Sequence, residues 1–154
     1  MPELISRRVL LARGVAAAAA AIVSPALLRA AAGTPMMVYK DPNCGCCHNW
    51  VEIMRTSGFD VSVKDTTDMA VIKTRYKVGR KLVSCHTALV GGYVVEGHAP
   101  ADVIRKLLAE KPKVLGIAVP GMPVGSPGME GGTKQAYDVL TFDAAGKTTV
   151  FAKR

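Results

Sequence analysis

The stretch Met36-Met37-Val38-Tyr39-Lys40-Asp41-Pro42-Asn43-Cys44-Gly45-Cys46-Cys47-His48-Asn49-Trp50 decides how the rest of the chain is read. The apolar run at 36–39 is short and stops at Asp41-Pro42-Asn43, so it reads as a buried strand entering a turn. From Cys47 the pattern becomes helical. Trp50, Val51, Met54 and the later Phe59 recur at spacings near three and four, and Gly58 stands where a helix would stop. The cysteines therefore sit where the first strand meets the first helix.

Working downstream, residues 61–64 alternate and read as a second strand, and Met69, Ile72, Lys73 and Tyr76 suggest a helix closing near Gly79. Two apolar runs, 83–90 and 93–95, flank Gly91-Gly92 and make a hairpin with a tight turn. Pro100 suits a helix start, and Val103, Ile104, Leu107 and Leu108 give an apolar face through Glu110. Strand, helix, strand, helix, hairpin, helix is an α/β order, and a four-stranded sheet flanked by helices is its natural solution. Residues 116–132 are rich in Gly and Pro and read as a long loop. Residues 137–142 and 148–152 then read as strands of a C-terminal β-hairpin extension. There is no internal repeat and no coiled-coil heptad.

Upstream, residues 1–32 read as an export signal. Arg7, Arg8 and Arg13 form a basic start, 15–28 is a mostly apolar run, and Ala30-Ala31-Ala32 offers the small residues a signal peptidase accepts. The run falls short of the about twenty apolar residues of a membrane span, which leaves an uncleaved anchor as the lesser alternative. Ser6-Arg7-Arg8-Val9-Leu10-Leu11 resembles a twin-arginine export sequence, and a general secretory signal is its rival. Either route delivers residues 33–154, read as one domain, to a bacterial periplasm or beyond.

The formal net charge is +8 over 154 residues. The leader holds four Arg and one Glu, so the excess left on the mature domain is about +5. With no dense basic run and few aromatics, nucleic acid is a poor candidate partner.

Cys44 and Cys47 are three residues apart, a spacing that brings two sulfurs within reach of each other or of one metal ion. A helix N-terminus favours thiolate over thiol, and thiolate is both the nucleophile of disulfide exchange and the ligand of soft metals. A dithiol oxidoreductase needs only Cys44 and Cys47. Cys46 between them invites scrambling in such an enzyme but suits a bridging metal ligand. Cys85, followed by His86, adds a fourth thiol at the start of the third strand. Two structural disulfides, with three pairings, are the plain alternative for an exported domain with four cysteines. The clustering counts against them, since structural bridges gain most by joining distant segments. Zinc, which favours separated Cys-x-x-Cys pairs, and iron–sulfur ligation are weaker alternatives.

Met122 and Met129 lie in the Gly/Pro loop, where they are harder to explain as core than Met54 or Met69, and thioether is a soft ligand for Cu(I). Among the histidines, His86 is the best candidate ligand or proton carrier. His48 follows the cluster but turns outward on the first helical turn in this reading, and His98 is assigned a loop-satisfying role.

Residues 39–50, 83–88, 95–100 and 116–129 carry a resemblance that spans nearly the whole mature chain. There the sequence resembles a bacterial family catalogued as a domain of unknown function, number 411, whose members are exported copper-associated proteins. The resemblance implies a thioredoxin-like fold and copper at the Cys-x-Cys-Cys site, with the later cysteine and a loop methionine or histidine completing a cluster. Every cysteine position of the pattern is filled.

Three functional expectations follow. The first is a periplasmic protein that holds one or more Cu(I) ions on Cys44, Cys46, Cys47 and Cys85, with His86, Met122 and Met129 as further candidate ligands. Its partners would be copper ions and periplasmic copper-handling or thiol-redox proteins, and thiol and copper redox chemistry could be coupled. The second is a thiol–disulfide oxidoreductase with Cys44 attacking and Cys47 resolving. The third is a disulfide-stabilised domain with no chemistry.

Overall fold

The computed structural model describes residues 33–154, so the export segment read at 1–32 lies outside the described residues. Strand β1 (Thr34–Lys40) runs into helix α1 (Gly45–Thr56), strand β2 (Phe59–Asp65) and helix α2 (Met69–Arg75). A 3-10 turn (Arg80–Leu82) leads to the hairpin β3 (Thr87–Val90) and β4 (Tyr93–Glu96), then helix α3 (Ala101–Glu110). Three further strands follow: β5 (Gly116–Ala118), β6 (Asp138–Phe142) and β7 (Thr148–Lys153). Among the described residues no helix is long and apolar enough to cross a membrane.

All seven strands join one mixed sheet in the order β2-β1-β3-β4-β5-β6-β7. β1 pairs parallel with β2 and antiparallel with β3, and β4 pairs parallel with β5. The elements sort into layers by which face they bury. Trp50, Val51 and Met54 of α1 and Val103, Ile104 and Leu107 of α3 pack with Met36, Val38, Ala88, Val95 and Ile117 on one face. Tyr76 and Val78, at the end of α2, and Leu82 pack with Leu89, Val94, Ala118 and Phe142 on the other. Trp50 is fully buried, and each large apolar side chain so buried stabilises the fold by about 1.5–3 kcal/mol. Asp68 caps α2 by accepting the Val71 N–H at 3.3 Å.

The expected four-stranded sheet is therefore too small by three strands. The first four pair as the chain order suggests, but Gly116–Ala118 adds β5, and the C-terminal hairpin continues the same sheet through it. Three residues are too few to show a strand period, and they open the Gly/Pro-rich stretch that reads as loop. β3 also starts at Thr87 rather than Val83. The Ser84 N–H is taken by the Glu96 carboxylate at 2.8 Å instead of by a neighbouring strand, which leaves Ser84, Cys85 and His86 outside regular structure. The expected Gly91-Gly92 turn is present, with both residues at positive φ (56° and 86°), a conformation glycine adopts without strain.

Candidate metal centre

The turn after β1 presents the first three cysteines. The Asn43 N–H donates to the Asp41 side chain at 2.8 Å and the Cys44 N–H to the Asp41 carbonyl at 3.1 Å, which ends the strand and aims the chain into α1. Cys44 is the N-cap residue and makes no side-chain capping bond, so its sulfur is free for other chemistry. Cys46 and Cys47 follow on the first helical turn. Cys47 faces the core and is fully buried, while Cys44 and Cys46 are half-buried.

Cys44 and Cys47 are joined in a disulfide, with Cα atoms 5.3 Å apart. Cys46 and Cys85 remain thiols. The two-disulfide arrangement is thus not the one observed. Cys46 Sγ lies 3.5 Å from Cys44 Sγ and 3.8 Å from Cys85 Sγ, which makes it the link between the helix N-terminus and the distant cysteine. All four sulfurs fall within 4.8 Å of one another. Cys85, His86 and His98 form a second group of donors within the same span.

His98 is the residue sequence reasoning missed. Its Nδ1–H donates to the Pro127 carbonyl at 2.8 Å, which fixes the tautomer and leaves the Nε2 lone pair facing Cys85 Sγ, also at 2.8 Å. It does satisfy a loop, as expected, but the other edge of its ring lines the site. The signal was available in the hairpin register. Thr87 pairs with Glu96, so carrying the ladder two residues past its end sets Cys85 opposite His98.

His86 is fully buried, with its ring 4.3 Å from the Trp50 ring and 5.0 Å from that of His98, centroid to centroid. Its Nδ1 lies 3.9 Å from Cys85 Sγ, and its Nε2 has no hydrogen-bond partner. His48 is exposed and turns its Nδ1–H back to the Cys44 carbonyl at 3.0 Å, away from the sulfurs.

The electrostatics favour neutral groups. Burial, reinforced by the neighbouring His98 and Lys73, holds His86 well below the usual histidine range. Burial also lowers His98. Burial and the nearby Cys46 push the Cys85 thiol up to about 11. At neutral pH the site is thus two unprotonated imidazoles beside a protonated thiol, whose proton a metal ion would displace.

Behind Cys85 lies a buried polar network. Glu96, with no exposed surface, accepts from Lys73 Nζ at 2.5 Å, Thr87 Oγ1 at 2.7 Å and Ser84 N–H at 2.8 Å. Burial outweighs these partners and raises its pKa. Ser84 Oγ also donates to the Gly121 carbonyl. The network thereby ties α2, the hairpin base and the glycine-rich loop to the residue preceding Cys85.

That loop docks on the site. Gly128 sits at φ 82°, and a Cβ there would come 2.8 Å from the Cys46 carbonyl oxygen and 2.9 Å from the Trp50 nitrogen, so only glycine permits the approach. Met129 follows it, half-buried, and Met122 follows the pinned Gly121 with 52% of its surface exposed. Both methionines thus adjoin points where the loop is fastened to the walls of the site.

Soft sulfur donors and neutral imidazoles, with no carboxylate among them, suit Cu(I) better than a hard cation. Two solved structures of a protein named copper resistance protein CopG, forms 1 and 2, each share 42% identity with the chain, at a TM-score of 0.75. Each match covers 79% of this chain and 98% of the CopG chain. The chain belongs to the CopG family. A family model described as "Protein of unknown function, DUF411" matches residues 82–129. That segment of the CopG-like fold carries Cys85, His86, His98, Met122 and Met129. No curated protein matches the chain.

Proposed function

We propose that the protein is a periplasmic copper-binding protein that holds Cu(I) in a cysteine-thiolate cluster and contributes to copper resistance. The observation that carries this reading is the position of Cys46, whose sulfur lies within 4 Å of both Cys44 and Cys85. A sulfur so placed can bridge ions held by its neighbours, and four such sulfurs can hold more than one ion. The CopG relatives, named for copper resistance, support copper as the cargo. The β1-α1-β2-α2-β3-β4-α3 succession, with the reactive cysteines at the start of α1, supports a thioredoxin-like core extended by β5–β7. The leader at 1–32 supports export, and the loop methionines Met122 and Met129 are candidate supplementary ligands.

Four thiolates exist only after the Cys44–Cys47 disulfide accepts two electrons, so copper loading to full capacity requires a reductant. X-ray absorption on the reduced, copper-loaded protein tests the reading. A sulfur-dominated first shell with a second copper as neighbour is the expected result, and isolated copper bound by nitrogen and oxygen would contradict it.

The Cys44–Cys47 disulfide favours a second reading, a thiol–disulfide oxidoreductase. Half-buried Cys44 is the sulfur open to a partner, and buried Cys47 would resolve the mixed disulfide.

A further inference from the structure

The two faces of the sheet are covered unequally. Strand alternation sends Ala88, Val90 and Val95 to the face packed by α1 and α3, and Leu89 with its register partner Val94 to the other. On that second face the cover is one short helix, α2, and the turn that follows it. Where α2 ends, a pocket of about 310 Å³ stays open, lined by Arg75, Tyr76 and Lys77 and by Leu89, Val94 and Leu115. It lies toward the Gly91-Gly92 tip of the hairpin, whereas Cys85 and His98 stand at the hairpin base. None of its residues belongs to the candidate metal centre.

The lining sorts by chemistry. Leu89, Val94 and Leu115 make an apolar floor on backbone that the sheet already holds. Leu89 and Val94 face each other across the β3–β4 ladder. The Leu115 carbonyl accepts the Val94 N–H at 3.0 Å, and the Leu115 N–H donates to the Phe142 carbonyl at 2.8 Å. Tyr76 makes a wall, with its ring 5.9 Å from that of Tyr39. A Cβ at Gly92 would meet nothing within 4 Å, so the mouth is open at the hairpin tip. Arg75 and Lys77 form the rim, and both are exposed. Neither is ion-paired among the described residues, whereas Arg55, Lys73, Lys106 and Arg154 are. No carboxylate lines the pocket.

An apolar floor below two unmatched positive charges is complementary to a molecule with an apolar tail and an anionic head. We propose that this pocket binds a small single-chain amphiphile with an anionic head. The tail lies on Leu89, Val94 and Leu115, and the head sits between Arg75 and Lys77. The Arg75 guanidinium offers paired N–H donors that match a carboxylate or a phosphate, and Lys77 adds a second charge. The volume is at the lower end of the about 300–1,000 Å³ of small-molecule sites, which suits one acyl chain rather than the paired chains of a membrane lipid. Because the floor belongs to the sheet, the pocket is formed before the ligand arrives. The inference uses no residue of the copper reading and stands or falls without it.

The test titrates sodium decanoate, kept below its micelle concentration, into the mature chain by calorimetry and methyl NMR. One molecule per chain is expected, with the methyl signals of Leu89, Val94 and Leu115 shifting together. Binding should weaken about tenfold or more when Arg75→Glu is combined with Lys77→Glu, and also in Leu89→Trp, which fills the pocket. Circular dichroism confirms that each variant is folded. Sodium acetate, which lacks the tail, should not bind, and decyltrimethylammonium, which reverses the head charge, should bind more weakly than decanoate. No decanoate binding, shifts confined to other residues, equal affinity for the cationic amphiphile, or wild-type affinity in the charge-reversed variant would each overturn the site. Phosphatidylglycerol vesicles, offered in parallel, separate a free ligand from a membrane surface. Capture on the vesicles without uptake of decanoate also overturns it.

Discussion

Cys85 and His98 face each other two residues beyond the last pair of the β3–β4 ladder, with Sγ and Nε2 2.8 Å apart. The Gly97 N–H, donated to the His86 carbonyl at 3.0 Å, carries the hairpin pairing out to them. The hairpin that organises the sheet centre thus also builds one wall of the candidate metal centre, and the tightness of the Gly91-Gly92 turn sets its register.

The buried histidines make stability pH-dependent. Both His86 and His98 have folded pKa values lowered by burial, below the ordinary value of 6.5. The unfolded chain therefore takes up protons first as the pH falls. Stability is intact above about 6.5 and is lost progressively as the pH drops from there through the lowered folded values. Urea unfolding at pH 7 and pH 5 should show a lower midpoint at pH 5. His86→Phe, which keeps the ring and removes the titrating nitrogens, should flatten that dependence. An unchanged slope would mean that His86 is not held neutral by the fold.

The Lys73–Glu96 pair should be costly to break from one side. Glu96→Gln leaves the Lys73 ammonium buried without its counter-charge, a loss of about 3–5 kcal/mol. Lys73→Met combined with Glu96→Gln should recover part of that loss, because no unpaired charge remains. Denaturant unfolding of the two single variants and the double variant measures the coupling. Additive losses would show that Lys73 and Glu96 act independently.

Gly128→Ala should undock the loop. A methyl group there meets the Cys46 carbonyl and the Trp50 nitrogen at under 3 Å, at a positive φ that alanine disfavours. The expected cost is about 1–3 kcal/mol, with faster proteolysis within residues 120–134. Because Pro127 adjoins Gly128 and holds His98, the same variant should also weaken copper binding. Wild-type proteolysis rates would contradict the docking.

The first half of the fold could be read from the sequence because its apolar periods are long enough to count. Trp50, Val51 and Met54 mark α1, and Val103, Ile104 and Leu107 mark α3, all of them buried as their spacing requires. β5 could not be read, because Gly116–Ala118 is only three residues long and its burial comes from β4 and β6 on either side. The cysteine cluster was visible as a cluster, but its oxidation state was not. Whether Cys44 bonds Cys47 or a metal depends on electrons supplied from outside the chain. His98 was overlooked for a different reason: no pattern around Gly97-His98-Ala99 marks it, and only counting the hairpin register outward from the Gly91-Gly92 turn sets it opposite Cys85.

In the proposed function, Cys46 turns a dithiol motif into a bridged copper site. Copper bound per chain under reducing, oxygen-free conditions, measured for the wild type beside Cys46→Ser, tests it most directly. More than one tightly bound copper is expected in the wild type, with loss of that multiple occupancy in the variant. No tight copper in the wild type, with disulfide reductase activity undiminished in Cys46→Ser, would contradict it and make Cys44 and Cys47 a redox pair alone.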